Sequence, residues 1–190
     1  MSDGRLIPPH GGYRRLRSFQ VAQEIYDATV LFCERFIDKK SRTHDQMIQA
    51  SRSGVQNIAE GSMASATSKK MEIKLTGVAK ASLEELLRDY EDYLRQHGLR
   101  QWGKDSPEAR KIREMYKSDR SDESDTSDIY GIRTASAEVA GNTVICLIHQ
   151  ATYLLRKQLE RLEREFLEKG GFTERMYHER KRWRDREKKE

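Results

Sequence analysis

The sequence predicts an all-α protein whose main helices pack as a four-helix bundle. Three observations carry that prediction. Charged residues make up 35% of the 190 positions and hydrophobic residues 36%, with only three prolines. That is the composition of helices around a thin core. Phe19, Ala22, Tyr26, Thr29, Cys33 and Phe36 recur at alternating steps of three and four, the period of a bundle seam. Capping and stop residues bracket each periodic stretch. A chain of this length makes one domain with appendages: a flexible start over 1–12, a bundle over 13–171 and a charged tail over 172–190.

Pro8, Pro9, Gly11 and Gly12 break any regular pattern at the start. The first helix is expected from an N-cap at Ser18 to about Asp38. Ser41 or Thr43 caps the second, and Gly61 stands where a left-handed residue would end it. Thr67 or Ser68 starts a long third helix, about Lys69 to His97, before the stop residue Gly98. Its outer face carries Glu84, Asp89, Glu91 and Asp92 and is acidic. An insertion, 99–133, follows. It holds a short helix with Ser106 as cap and Pro107 at the first helical position. After it comes SDRSDESDTSD, with five acids against one arginine, which reads as a solvated linker. The last main helix is expected from Ser136 to Lys169. The tail has eight Lys/Arg against five Asp/Glu and reads as either a basic helix or a disordered, solvated end.

The last helix carries two apolar stripes. One is Ala140, Val144, Leu147, Ala151 and Leu154. The other is Ile145, Ile148, Leu155, Leu159, Leu162 and Phe166. One stripe is enough to face a four-helix core, so a second buried contact is expected. Either the 99–133 insertion supplies it or a neighbouring subunit does. The subunit is favoured, because the second stripe continues past the expected end of the bundle.

The second helix is unusual in its run of small and polar residues. Ala50, Gly54, Asn57 and Gly61 form one line along it, which lets another helix come close. A buried Asn57 would fix which helices meet and in what register. Arg52 and Glu60 share one face, two turns apart. Glu60 lies near a helix C-terminus and needs a cationic or N–H partner to offset the dipole, supplied by Arg52, Lys74 or a residue of the last helix. Chemistry at Asn57 and Glu60 is the less favoured reading, since no His or Cys accompanies them.

The same residues carry a resemblance. RSGVQNIAEGS followed by KASLEELLRDYEDYL resembles the four-helix-bundle family of proteins encoded in intervening sequences of large-subunit ribosomal RNA genes. The matching positions are Arg52, Asn57, Ile58, Ala59, Glu60 and Gly61, then Ser82, Leu83, Glu85 and Leu86. VICLIHQATYLLRKQLERLEREFLEKGG is similar to a longer branch, the four-helix-bundle suffix domain. The resemblance covers about residues 13–172. It implies an antiparallel up-and-down bundle and a homo-oligomer, with a pentamer suspected. One relative, the accessory variability protein of diversity-generating retroelements, binds a reverse transcriptase and nucleic acid. The insertion, its acidic run and the basic tail depart from the family pattern.

No enzyme motif is present. The histidines His10, His44, His97, His149 and His178 are scattered, and no Glu-x-x-His pair of the di-iron bundles occurs. His149 is expected to be a satisfied core or interface residue. No P-loop, dinucleotide glycine pattern or nucleophile elbow appears. A non-enzymatic protein without cofactor or metal is expected. Cys33 and Cys146 read as small hydrophobes in a reducing compartment. The start lacks a signal-peptide core and no apolar run could cross a bilayer, so a cytoplasmic protein without membrane contact is expected.

The formal charge of +5 permits an acidic partner. Arg14, Arg15 and Arg17 precede the first helix, Lys39, Lys40 and Arg42 lie in the turn after it, and Lys69, Lys70 and Lys74 open the third. The latter two groups fall at opposite ends of an up-and-down bundle. Such clusters bind phosphates of RNA or DNA without sequence choice, and Tyr13, Trp102 and Trp183 are candidate stacking platforms. The expected function is binding of nucleic acid or of a nucleic-acid enzyme such as a reverse transcriptase. The alternative is a scaffold for proteins alone.

Overall fold

A computed structural model describes residues 7, 10–117 and 130–187 of the chain. The described residues are helical with no strand. The acidic run after the short helix lies outside them, as do most of residues 1–9.

A single 3-10 turn, Tyr13–Arg15, leads into α1, Arg17–Phe36. The cap position belongs to Leu16, not Ser18. The Tyr13–Arg15 turn already orders the entry, with Leu16 N–H donating to the Tyr13 carbonyl at 2.9 Å. Ser18 is buried inside the helix and its hydroxyl donates to Gln158 Oε1 at 2.9 Å. Extended backbone at Ile37 ends α1 at Phe36, two residues short of the expected boundary.

α2, Arg42–Ala64, starts at Ser41, whose hydroxyl accepts from Thr43 N–H. It runs through Gly61, which corrects the expected stop there. Gly61 is helical and serves a close approach instead: a Cβ on it would lie 3.4 Å from the Glu72 carbonyl oxygen. Gly54 is tighter still, with an added Cβ 2.8 Å from a Leu83 methyl. The line of small residues therefore seats α2 against α3, as its spacing predicts.

α3, Lys69–Gln96, is capped by Ser68, which accepts from Met71 N–H at 3.1 Å. Gly98 ends it with φ of 63°, and Leu99 N–H returns to the Leu94 carbonyl at 2.9 Å. α4, Pro107–Lys117, opens at Ser106, which accepts from Ala109 N–H at 3.2 Å. α5, Ala137–Lys169, is capped by Ser136 and ends at Gly170, φ 68°. α6, Phe172–Glu187, makes the tail helical, and none of its residues is buried.

α1 packs against α2 and α5, and α3 packs against the same two helices. Phe32 of α1 is fully buried, with its ring centroid 4.9 Å from Tyr90 and 5.0 Å from Tyr93 of α3. Tyr90 donates to Thr29 Oγ1 at 3.1 Å, which satisfies its buried hydroxyl. Ile25, Leu83, Leu86, Leu147 and Leu155 complete the interior, and each such side chain is worth about 1.5–3 kcal/mol of burial.

Much of the second stripe of α5 is covered within the chain itself. Ile145, Ile148, Leu155 and Leu162 are buried within the single chain. The insertion supplies part of the cover: α4 packs on α5, with Ala109, Ile112 and Tyr116 of α4 buried together with Ile132. Only Leu159, half-buried, and Phe166, 37% exposed, remain open along that stripe.

Candidate functional site

The polar residues of α2 form a short relay. Asn57 Nδ2 donates to the Ser53 carbonyl at 2.9 Å and to Ser53 Oγ at 3.1 Å. Ser53 Oγ lies 2.9 Å from Ser82 Oγ of α3. Asn57 and Ser82 therefore act in helix–helix contact, which gives these motif residues a packing role. Arg52, Glu60 and Glu85 are exposed. Among the described residues none of the three forms an ion pair, which corrects the expected cation partner for Glu60. Because α2 continues to Ala64, Glu60 sits a full turn from the helix end, where the dipole is weaker. An amide committed to Ser53 and a solvated carboxylate leave no paired acid and base here.

The thiols are equally inert. Burial, then the charges of Asp89 and Glu34, push Cys33 up to about 12. Burial raises Cys146 too, against an opposing effect of Arg113. Both remain protonated near neutrality and so are poor nucleophiles. No group of three or more His, Cys, Asp and Glu among the described residues could hold a metal ion. No described helix is long and apolar enough to cross a membrane.

On α3, Asp89 is raised from its usual 3.8 by burial first, then by Glu85 and Asp92. The folded chain therefore keeps this proton to a higher pH than the unfolded chain does. The stability linked to Asp89 is complete below the unfolded value and is lost as pH rises through the folded one. Asp89→Asn is thus expected to raise Tm at pH 7. The gain should vanish below about pH 4, where the wild-type carboxyl is protonated in both states. Thermal melts across that range measure it, and an unchanged or lowered Tm at pH 7 would refute it.

The structure divides the basic residues between two regions. Ser18 meets Gln158, and Lys69 Nζ reaches Glu165 Oε2 at 3.4 Å. The starts of α1 and α3 thus lie beside the far half of α5, and Arg14, Arg15, Lys70 and Lys74 are exposed there. A shallow groove of about 230 Å³ at this end is lined by Arg17, Ser18, Lys157, Gln158 and Arg161. Lys157 and Arg161 were missed in the sequence because α5 alternates cations with Glu160 and Glu165, which they also pair with. Lys39, Lys40 and Arg42 are exposed at the other end, where Arg35 of α1 donates to the Ile132 and Ala135 carbonyls before α5 begins.

Two predicted phosphate ligands are otherwise engaged. Lys69 pairs with Glu72 at 2.7 Å as well as with Glu165. Arg17 donates to Gln20 and to the Tyr116 carbonyl, and lies over the Tyr116 ring. It clamps the end of α4 to α1. Arg14, Arg15, Lys39, Lys40, Arg42, Lys70 and Lys74 form no ion pair among the described residues.

A larger cleft of about 520 Å³ lies between α4, α5 and the segment joining α3 to α4. Asn142, Ile145, Cys146, His149 and Tyr153 line its α5 side, a spacing that puts them on one helix face. His149 is exposed at its rim, not in the core of the chain. Asn142 is buried and fully used. Its Oδ1 accepts from Trp102 N–H at 2.7 Å, and its Nδ2 donates to the Arg100 and Glu138 carbonyls at 2.8 Å each. An asparagine beside Ile145 and Cys146 on one face of α5 is the sequence signal for this cleft.

No protein-family model, curated protein or solved structure matches the chain.

Proposed function

We propose that this chain is an antiparallel up-and-down four-helix bundle that binds nucleic acid through the positive end formed by the starts of α1 and α3. It catalyses no reaction. The packing of α1 and α3 each against α2 and α5 supports the bundle. The observation that carries the function is a set of exposed cations, Arg14, Arg15, Lys70 and Lys74, that have no carboxylate partner among the described residues and lie beside a groove lined by Arg17, Lys157 and Arg161. Unpaired cations on a rigid surface hold phosphates, and releasing the counterions of the nucleic acid drives binding. The inert thiols and the committed Asn57 amide support the absence of catalysis. The resemblance adds a reverse transcriptase as the protein partner and a homopentamer as the assembly.

Binding to duplex and single-stranded DNA and RNA across a salt series tests this. Affinity is expected to fall steeply with salt, and each phosphate-contacting cation removed should lower the slope by about 1. Replacing Arg14, Arg15, Lys70 and Lys74 by alanine should weaken binding more than replacing Lys39, Lys40 and Arg42. No binding at low salt, or binding indifferent to salt, would overturn the proposal. One observation favours the scaffold reading: Leu167 of α5 and Tyr177 and Trp183 of α6 are 76%, 61% and 61% exposed. Recovery of one protein partner that survives nuclease treatment would support it instead.

A further inference from the structure

We infer that the cleft beside Trp102 binds a flat ring carrying an anionic group, the chemistry of a nucleotide. Three features converge on that chemistry. The floor is apolar, built from Ile145 and Ala109, 4% and 2% exposed. Two aromatic side chains, Trp102 and Tyr153, line it. Two cations, Lys104 and Arg113, also line it, and among the described residues no carboxylate does. Neither cation forms an ion pair among the described residues, so their charge is available to a ligand. Arg113 lies close enough to Cys146 for its charge to act on the thiol, which places that charge at the cleft.

The site is also held in place. Asn142 fixes the backbone of Trp102 from a buried position in α5, so one wall is set before any ligand arrives. With its own amide spent, Asn142 does not read the ligand. Gln150, which makes no hydrogen bond among the described residues, offers both a donor and an acceptor to a ring edge. The volume, about 520 Å³, falls in the range of small-molecule sites. Stacking a base on such rings contributes about 1–3 kcal/mol without sequence choice. The cleft is distinct from the positive end proposed above, and alanines at Arg14 and Arg15 should leave it unchanged.

The two tryptophans of the chain are Trp102 and Trp183, so the full chain with Trp183→Phe reports on the cleft alone. Adenosine monophosphate should change Trp102 emission saturably. Adenosine should bind at least about tenfold more weakly, a difference of one charge-assisted contact. Inorganic phosphate should leave the emission unchanged. Lys104→Gln and Arg113→Gln should each weaken the monophosphate about five- to tenfold and leave adenosine unaffected. Lys104 is exposed, so its variant keeps the fold. As a second readout, at alkaline pH, where the thiolate forms, the monophosphate should slow alkylation of half-buried Cys146 by a maleimide, while Cys33 is buried. A short single-stranded oligoadenylate separates the sources: tighter binding than the monophosphate identifies an unpaired base in a strand, and weaker binding a free nucleotide. The inference is overturned by no saturable change with either probe at about 1 mM. Equal affinity for adenosine and its monophosphate, or unchanged affinity in both glutamine variants, would overturn it as well.

Discussion

Replacing Phe32 with alanine is expected to destabilise the chain by about 3–5 kcal/mol. Phe32 is fully buried, and three helices meet on its ring. Tyr90 and Tyr93 of α3 contact it edge-on, Phe36 of α1 lies 5.1 Å away, and Gly141 of α5 comes so close that a Cβ there would sit 3.6 Å from Phe32 Cε2. Truncation removes the transfer energy of the ring and leaves a void bordered by well-packed side chains, which relax only in part. Against a total of about 5–15 kcal/mol for a domain, that is a large fraction. Urea denaturation measures it, with the midpoint lowered and the slope unchanged. A loss below about 1 kcal/mol would mean that the three helices do not converge on this ring.

The second large effect is expected at Asn142. Asn142→Leu keeps the side-chain size but strips partners from the Trp102 N–H and the Arg100 carbonyl. A buried group left unsatisfied costs about 1–3 kcal/mol, so a total loss of about 2–4 kcal/mol is expected. The effect should be local as well as global, because these bonds tie the segment after α3 to α5. With Trp183→Phe as background, Trp102 emission should shift to the red as the segment loosens. Asn142→Asp should not rescue, since a carboxylate accepts from Trp102 but cannot donate to Arg100 and Glu138. Unchanged emission and stability in Asn142→Leu would remove the structural basis for the cleft wall.

Helix boundaries were legible where the signal is local. Ser41, Ser68, Ser106 and Ser136 each accept from a backbone N–H two or three residues on, an interaction written entirely in neighbouring positions. Ser18 and Gly61 show the limit. A serine can cap a helix or bond across it, and a glycine can end a helix or admit a neighbour. Only the residue on the other side decides, here Gln158 and the Glu72 carbonyl.

The same limit governs function. Periodicity shows that a second face of α5 is covered, but not that Ala109, Ile112 and Tyr116 help to cover it. Exposed lysines are legible as exposed. The engagement of Lys69 is legible only in part, because Glu72 lies three positions on but Glu165 lies 96 positions away. The larger cleft joins residues around 102–113 to residues around 142–153, and no pattern within either stretch describes the space between them.

The Ser18–Gln158 bond spans 140 positions, whereas α2 and α3 are joined by a short connector. Bringing distant parts of a chain together costs entropy before any contact rewards it. The hairpin of α2 and α3 can therefore zip up early and cheaply, while the seam between the first and last long helices bears the search. Changes along that seam will act most strongly on how fast the molecule reaches its native form.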